Sequence, residues 1–150
     1  MKTRGFEILE EYKMAAIELP QRKTGSSAGY DIEAAAEVSL APRQVAIIPT
    51  GLKAYMLPDE YLGVHIRSGL SIKKQLSLIN GQGIIDADYY NNPDNEGHIM
   101  LAIFNHSEVP VKIEKGMRIA QGIFYKYLTA DGDAPGCGEI RQGGMGSTGV

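Results

Sequence analysis

Only one cysteine, Cys137, occurs in the 150 residues, so neither an internal disulfide nor a cysteine-based zinc centre can form within the chain. A reducing cytoplasm is the expected setting, and without a neighbouring histidine Cys137 lacks the mark of a nucleophile. The three histidines, His65, His98 and His106, are scattered without metal-ligand spacing. No apolar signal region opens the chain, and no run approaches the roughly 20 apolar residues of a membrane span. A soluble intracellular protein without a membrane partner is therefore expected. An excess of positive charge is missing too: 15 Lys and Arg against 18 Asp and Glu leave a net charge of −3. That argues against a groove that neutralises many nucleic-acid phosphates, although a few placed arginines could hold a small anion.

Helix-length amphipathic windows are also scarce, because Pro42, Pro49, Pro58, Pro93, Pro110 and Pro135 interrupt the chain. What remains is a series of short apolar or alternating runs: 7–9, 30–34, 45–49, 51–56, 61–66, 76–80, 100–105, 111–113 and 120–125. Their spacing predicts an all-β sandwich or barrel and excludes the strand–helix alternation of Rossmann and P-loop folds. One short helix is expected from Ser68 to about Lys74, with Ser68 as its N-cap. With no composition break or internal repeat, residues 1–150 read as one domain, of which 135–150 form a Gly-rich flexible tail.

That tail carries Arg141-Gln-Gly-Gly-Met-Gly-Ser-Thr-Gly149. Glycine backbone can converge on phosphate oxygens while Arg141 adds a fixed cation, so the stretch reads as a phosphate clamp or as a plain solvated terminus. Arg67-Ser-Gly-Leu70 sets a cation and a hydroxyl before the expected helix start, whose free N–H groups suit an anion. The segment Asn80-Gly-Gln-Gly-Ile-Ile-Asp-Ala-Asp-Tyr89 offers an Asn-Gly hairpin turn and two carboxylates. If the strand stays regular, period-two alternation puts Asp86 and Asp88 on one face. A partly buried Asp86 could orient a water and take its proton; an Asp at a hairpin tip is as often a turn former.

Together with Ala28-Gly-Tyr-Asp-Ile-Glu-Ala34 and Arg118-Ile-Ala-Gln121, these segments follow in one order that closely resembles the five motifs of the homotrimeric dUTPase family. The resemblance runs from residue 28 to 149 and implies a distorted jelly roll whose C-terminal tail is exchanged between subunits. It implies Mg²⁺-dependent hydrolysis of dUTP to dUMP and pyrophosphate by water attack on the α-phosphate. Such an activity limits uracil incorporation into DNA and supplies dUMP for thymidylate synthesis. By that resemblance Asp86 holds the attacking water and the 3′-hydroxyl, while Asp88 is structural. Tyr89 lies flat on the sugar and excludes a 2′-hydroxyl, although Tyr90 beside it leaves open which of the two faces the sugar. Asn80, Gly83, Ile84, Ile85 and Met100 belong to the uracil pocket, where close backbone matches the base edge. Arg67, Ser68, Gly69 and Gln121 meet the phosphates, and Arg141, Met145, Gly146, Ser147 and Thr148 close over the substrate. Asp31 and Gln121 meet the waters of a Mg²⁺ ion carried mainly by the phosphates.

Three features depart from the family pattern. Met145 stands where an aromatic residue covers the uracil, Arg141 is one residue closer to the Gly-Gly pair, and the segment 90–97 replaces a tight turn. That last segment is polar, reads as a loop, and offers a surface to a protein partner. Two alternatives follow: a dCTP deaminase-related enzyme, or a nucleotide-switched regulatory protein that binds through the 90–97 loop. A lectin-like or structural jelly roll would explain the strands but not the ordered motifs.

Overall fold

In a computed structural model, which describes residues 1–136, 141, 143 and 144, the chain forms twelve strands and one short α-helix. In chain order these are β1 (Gly5–Ile8), β2 (Gln21–Arg22), β3 (Tyr30–Glu33), β4 (Val38–Leu40), β5 (Val45–Pro49), β6 (Leu52–Tyr55), β7 (Glu60–Ile66), α1 (Ser68–Lys74), β8 (Leu76–Leu78), β9 (Gly83–Asp86), β10 (Met100–Asn105), β11 (Val111–Ile113) and β12 (Arg118–Lys126). They assemble as a distorted jelly roll. A five-stranded sheet has the order β2-β3-β12-β7-β9, a three-stranded sheet β5-β10-β8, and the pairs β1-β6 and β4-β11 complete the roll. Every pairing is antiparallel.

Period-two patterning explains the packing. In β10, Leu101, Ile103 and Asn105 point inward while Met100, Ala102 and Phe104 face out. Ile32 and Leu62 of the large sheet, Ile48 and Leu76 of the smaller one, and Leu40 and Ile113 of the outer pair share one core. Each such side chain contributes about 1.5–3 kcal/mol by leaving water. The polar groups inside are matched: Asn105 donates to the carbonyls of Leu40 (3.1 Å) and Val109 (2.8 Å) and accepts from the Ser107 hydroxyl (2.7 Å). Among the described residues no buried side-chain N or O lacks a partner.

Three sequence expectations are corrected. Ser68 is not the N-cap of α1. Arg67 is extended (φ −69°, ψ 137°) and its carbonyl accepts the Ser71 N–H (3.0 Å), so Arg67 caps and Ser68 is the first helical residue. The Asn80-Gly81 turn does not close a β-hairpin either. Gly81 takes the expected positive φ of 75°, but β8 pairs with β10 and β9 with β7, so the chain crosses between sheets there. Finally, β2 and β4 were not expected as strands, and the first strand runs 5–8 instead of 7–9.

Candidate active site

The crossing from β8 places β9 at the edge of the large sheet, with Ile84 opposite Gly63 and Asp86 opposite Tyr61. The strand stops at Asp86 and tightens into a 3-10 turn, Ala87–Tyr89, so regular alternation does not carry on to Asp88. The two carboxylates meet through a cation instead. Arg141 donates from Nη2 to Asp86 Oδ2 (2.6 Å) and from Nε to Asp88 Oδ1 (2.7 Å). Asp86 is not the partly buried group expected: its side chain is 51% exposed, because the end of an edge strand has a neighbour on one side only.

The turn swings Tyr89 inward and Tyr90 away, which settles which of the two faces the cavity. Tyr89 is buried, its hydroxyl donates to the His98 carbonyl (2.6 Å) and accepts from Asn95 Nδ2 (2.9 Å), and burial pushes its phenol pKa up. Tyr90 hydrogen-bonds Glu7 and packs edge-on against Tyr55. Tyr89, Asn80, Gly83, Ile84, Ile85, Asp86 and Met100, with Arg141 and Gly144, line a cavity of about 200 Å³. Gly144 reaches Tyr89 so closely that a Cβ would lie 2.8 Å from ring atom Cε1. The tail segment was expected to leave for a neighbouring subunit; in the single chain Arg141 and Gly144 rest on the chain's own β9 and Tyr89. Met145, Gly146, Ser147 and Thr148 lie outside the described residues.

Asp31, Gln121 and His65 form a row across β3, β12 and β7, because each is directly opposed to the next. The Gln121 amide lies over Gly29, where a Cβ would come 2.2 Å from its Oε1, so a larger residue at 29 would push the amide from this place. Arg118 stands 3.5 Å from Asp31 Oδ2, and both line a second cavity of about 340 Å³ together with Gln21, Arg22, Lys23 and Glu33. Arg67 reaches the same region from the end of β7, its N–H donating to the Ile119 carbonyl (3.1 Å); Ser68 and Gly69 follow it, exposed. Arg118 belongs to a recognised motif but was not singled out from the sequence, and its pairing with Asp31 depends on a register invisible there. Among the described residues no three His, Cys, Asp or Glu side chains gather as a metal centre. One carboxylate beside one amide does fit an ion held chiefly by a substrate's own oxygens.

The two groups share one face of the large sheet. Tyr61, Gly63 and His65 alternate onto the same side of β7, so Asp86, opposite Tyr61, and Asp31, in the His65 row, point the same way. Three strand spacings and four residues along the strand separate them, about 20 Å at standard sheet dimensions. Between them lie Ile84, 59% exposed, and the Tyr61–Tyr125 stack with ring centroids 5.0 Å apart.

The profile of one protein family, described as dUTPase, matches residues 15–149. Among curated proteins, the deoxyuridine 5'-triphosphate nucleotidohydrolase of Lactococcus lactis subsp. lactis (strain IL1403) is 55% identical over 150 residues, covering 100% of both chains. The protein of the same name from Solanum lycopersicum is 38% identical over 138 residues, 88% of this chain and 75% of its own. Among solved structures, the dUTPase from Streptococcus mutans superposes with a TM-score of 0.81 at 43% identity, covering 85% of this chain and 99% of that one. A match along nearly the whole length, in sequence and in fold, means that the chain belongs to the dUTPase family.

Proposed function

We propose that the protein hydrolyses dUTP to dUMP and pyrophosphate, using the cavity beneath Tyr89 for the deoxyuridine and the Asp31 region for the phosphates. The observation that carries this reading is the convergence of a buried tyrosine ring, close glycine backbone and a carboxylate on one small cavity. Asp86 holds a water and accepts its proton as the oxygen attacks the α-phosphorus; the bond to the bridging oxygen breaks and pyrophosphate leaves. Gly83, Ile84 and Ile85 present backbone to the uracil edge, with Asn80 and Met100 beside them. Cytosine's amino donor at the position of O4 leaves mispaired buried groups, which weighs against a deaminase-like substrate. Tyr89 forms the wall against the sugar. Arg67, Ser68, Gly69, Gln121 and Arg118 take the phosphates, joined by Arg141, Met145, Gly146, Ser147 and Thr148 of the tail.

Asp31 and Gln121 are the residues that would hold the waters of a Mg²⁺ ion, which offsets charge on the triphosphate when bound. A homotrimer completes the site. The distance between Asp31 and Asp86 within one chain exceeds the span from a nucleotide's sugar to its phosphates, so one substrate needs these groups from two subunits. The exposed Ile84 and the half-buried Tyr61 and Tyr125 between them supply an apolar face for a neighbour. A single domain, 1–150, with 135–150 as its tail, and a cytoplasmic setting belong to the same reading; among the described residues no helix is long and apolar enough to cross a membrane. A protein partner on loop 90–97 would grip chiefly its exposed Pro93 and Asp94, since Asn92 is buried and ties the loop inward.

The test is pyrophosphate release from dUTP, dTTP, dCTP and UTP, with and without Mg²⁺. Release confined to dUTP and dependent on the ion is expected. Ammonia from dCTP, or equal turnover of all four, would overturn the assignment.

A further inference from the structure

We propose that Asn95 is a positioning residue that sets the discrimination of deoxyribose from ribose by fixing Tyr89; the inference rests on the dUTP reading above. A steric wall rejects an extra hydroxyl only as sharply as the wall is stiff. The Tyr89 ring is held at its far end by two bonds of opposite sense, donating to the His98 carbonyl (2.6 Å) and accepting from Asn95 Nδ2 (2.9 Å). A single bond would let the phenol tilt about its axis, whereas two fix it.

The loop that delivers Asn95 is itself folded on hydrogen bonds. Asn92, buried, donates to the Tyr89 carbonyl (2.8 Å) and to Asn95 Oδ1 (2.8 Å), while its own Oδ1 accepts the N–H groups of Asp94 and Asn95 (3.0 Å each). Asn95 Oδ1 also accepts the Gly97 N–H (3.1 Å). Since both neighbours of that atom are donors, it must be the oxygen, and the amide NH₂ is left to face the Tyr89 hydroxyl. The outer end is anchored by Lys53, which is buried and donates to Asn91 Oδ1 and Glu96 Oε2, 2.6 Å each. Gly97, at φ 93°, closes the loop where a Cβ would stand 2.8 Å from the Tyr89 carbonyl oxygen. A continuous path thus runs from Lys53 through the loop to the phenol. Asn95 divides its labour along it, with its oxygen ordering the loop and its nitrogen holding the ring.

That division gives the experiment. Asn95→Asp keeps the acceptor for Asn92 and Gly97 but loses the donor to Tyr89. With kcat/KM measured for dUTP and UTP, the dUTP:UTP ratio is expected to fall roughly five- to tenfold, the scale of one hydrogen bond. In a Tyr89→Phe background, which has no hydroxyl to hold, the same substitution is expected to move the ratio by less than about twofold. An unmoved ratio in the first background, or equal falls in both, overturns the role of Asn95. Asn95→Ala, read in the same cycle, serves if the aspartate variant does not fold by circular dichroism. Wild-type protein that releases no pyrophosphate from dUTP would instead sink the dUTP reading and this inference with it, whereas active wild type with an unmoved ratio removes Asn95 alone.

Discussion

The cavity beneath Tyr89 and the ledge around Asp31 lie on one face of the same sheet yet are built in opposite ways. In the cavity, shape is set in advance: backbone on two sides, a phenol pinned by two hydrogen bonds, and a glycine pressed against the ring. On the ledge, long charged side chains stand in the open, and Arg118 meets Asp31 only at 3.5 Å. Rigid walls suit a base and a sugar, which must be told from near copies; adaptable charges suit a triphosphate, which is the same in every competitor. Substitutions in the cavity are therefore expected to change which substrate is used. Those on the ledge are expected to change how tightly any triphosphate is held.

Asp86→Asn has the largest expected effect. The amide keeps the shape but cannot take the water's proton, so kcat is expected to fall by roughly two orders of magnitude or more while a non-hydrolysable dUTP analogue still binds. Near-normal kcat would remove Asp86 from its role and leave the cavity a binding site only.

Mixing chains asks whether the tail serves its own cavity, as Arg141 lies here, or a neighbour's. Inactive Asp86→Asn chains and inactive chains cut before Arg141 are co-refolded in equal amounts. If the tail crosses between subunits of a trimer, about a quarter of all sites receive both an intact Asp86 and an intact tail, and activity returns in that proportion. If the tail stays on its own chain, none do. No recovery from verified mixed trimers would therefore reject the shared arrangement.

Much of this contrast was legible in the sequence, but not its geometry. The strands of β7 and β10 were visible because alternation in a half-buried strand is set by the chain alone. β2 and β4, two and three residues long, exist through their partners. Asn80-Gly81 reads locally as a hairpin, and the pairing of β8 with β10 overrides it. The motif residues were recognisable by type and order. That Asp31 and Asp86 share a face is a property of four strands in register, and no single segment carries it. Nor could a run of asparagines reveal that Asn95 reaches the Tyr89 hydroxyl, since such bonds are made by the folded loop.

Asp31→Asn probes the ledge. An outer carboxylate of this kind typically costs tenfold or more in metal affinity, so the Mg²⁺ concentration for half-maximal activity is expected to rise about tenfold. The dUTP:UTP ratio is expected to stay put. A changed ratio would mean that the ledge also reads the sugar and that the division between the two regions is false.

Acid offers the smallest and most selective perturbation, because the buried titratable group behind the cavity is His98. Its Nε2 accepts the Gly51 N–H (3.0 Å), its ring packs on Tyr12, and its carbonyl takes the Tyr89 hydroxyl. Burial drives its pKa down from 6.5, with Glu11 and Glu96 opposing. Because the folded value lies below the unfolded one, the contribution is complete above about pH 6.5 and is lost as pH falls from there through the folded pKa. Glu33 on the ledge has the opposite sign: burial, then Glu18, raises its pKa, so protonation near and above 4.5 favours the folded state. As pH falls from 6.5 the His98 effect is thus expected to lower Tm by on the order of a few degrees, with Glu33 opposing it towards the acid end. The dUTP:UTP ratio should fall with it as Tyr89 loosens. His98→Gln, which still offers an oxygen to Gly51 but does not titrate, is expected to flatten both trends. An equal slope in the variant would place the acid sensitivity outside the cavity.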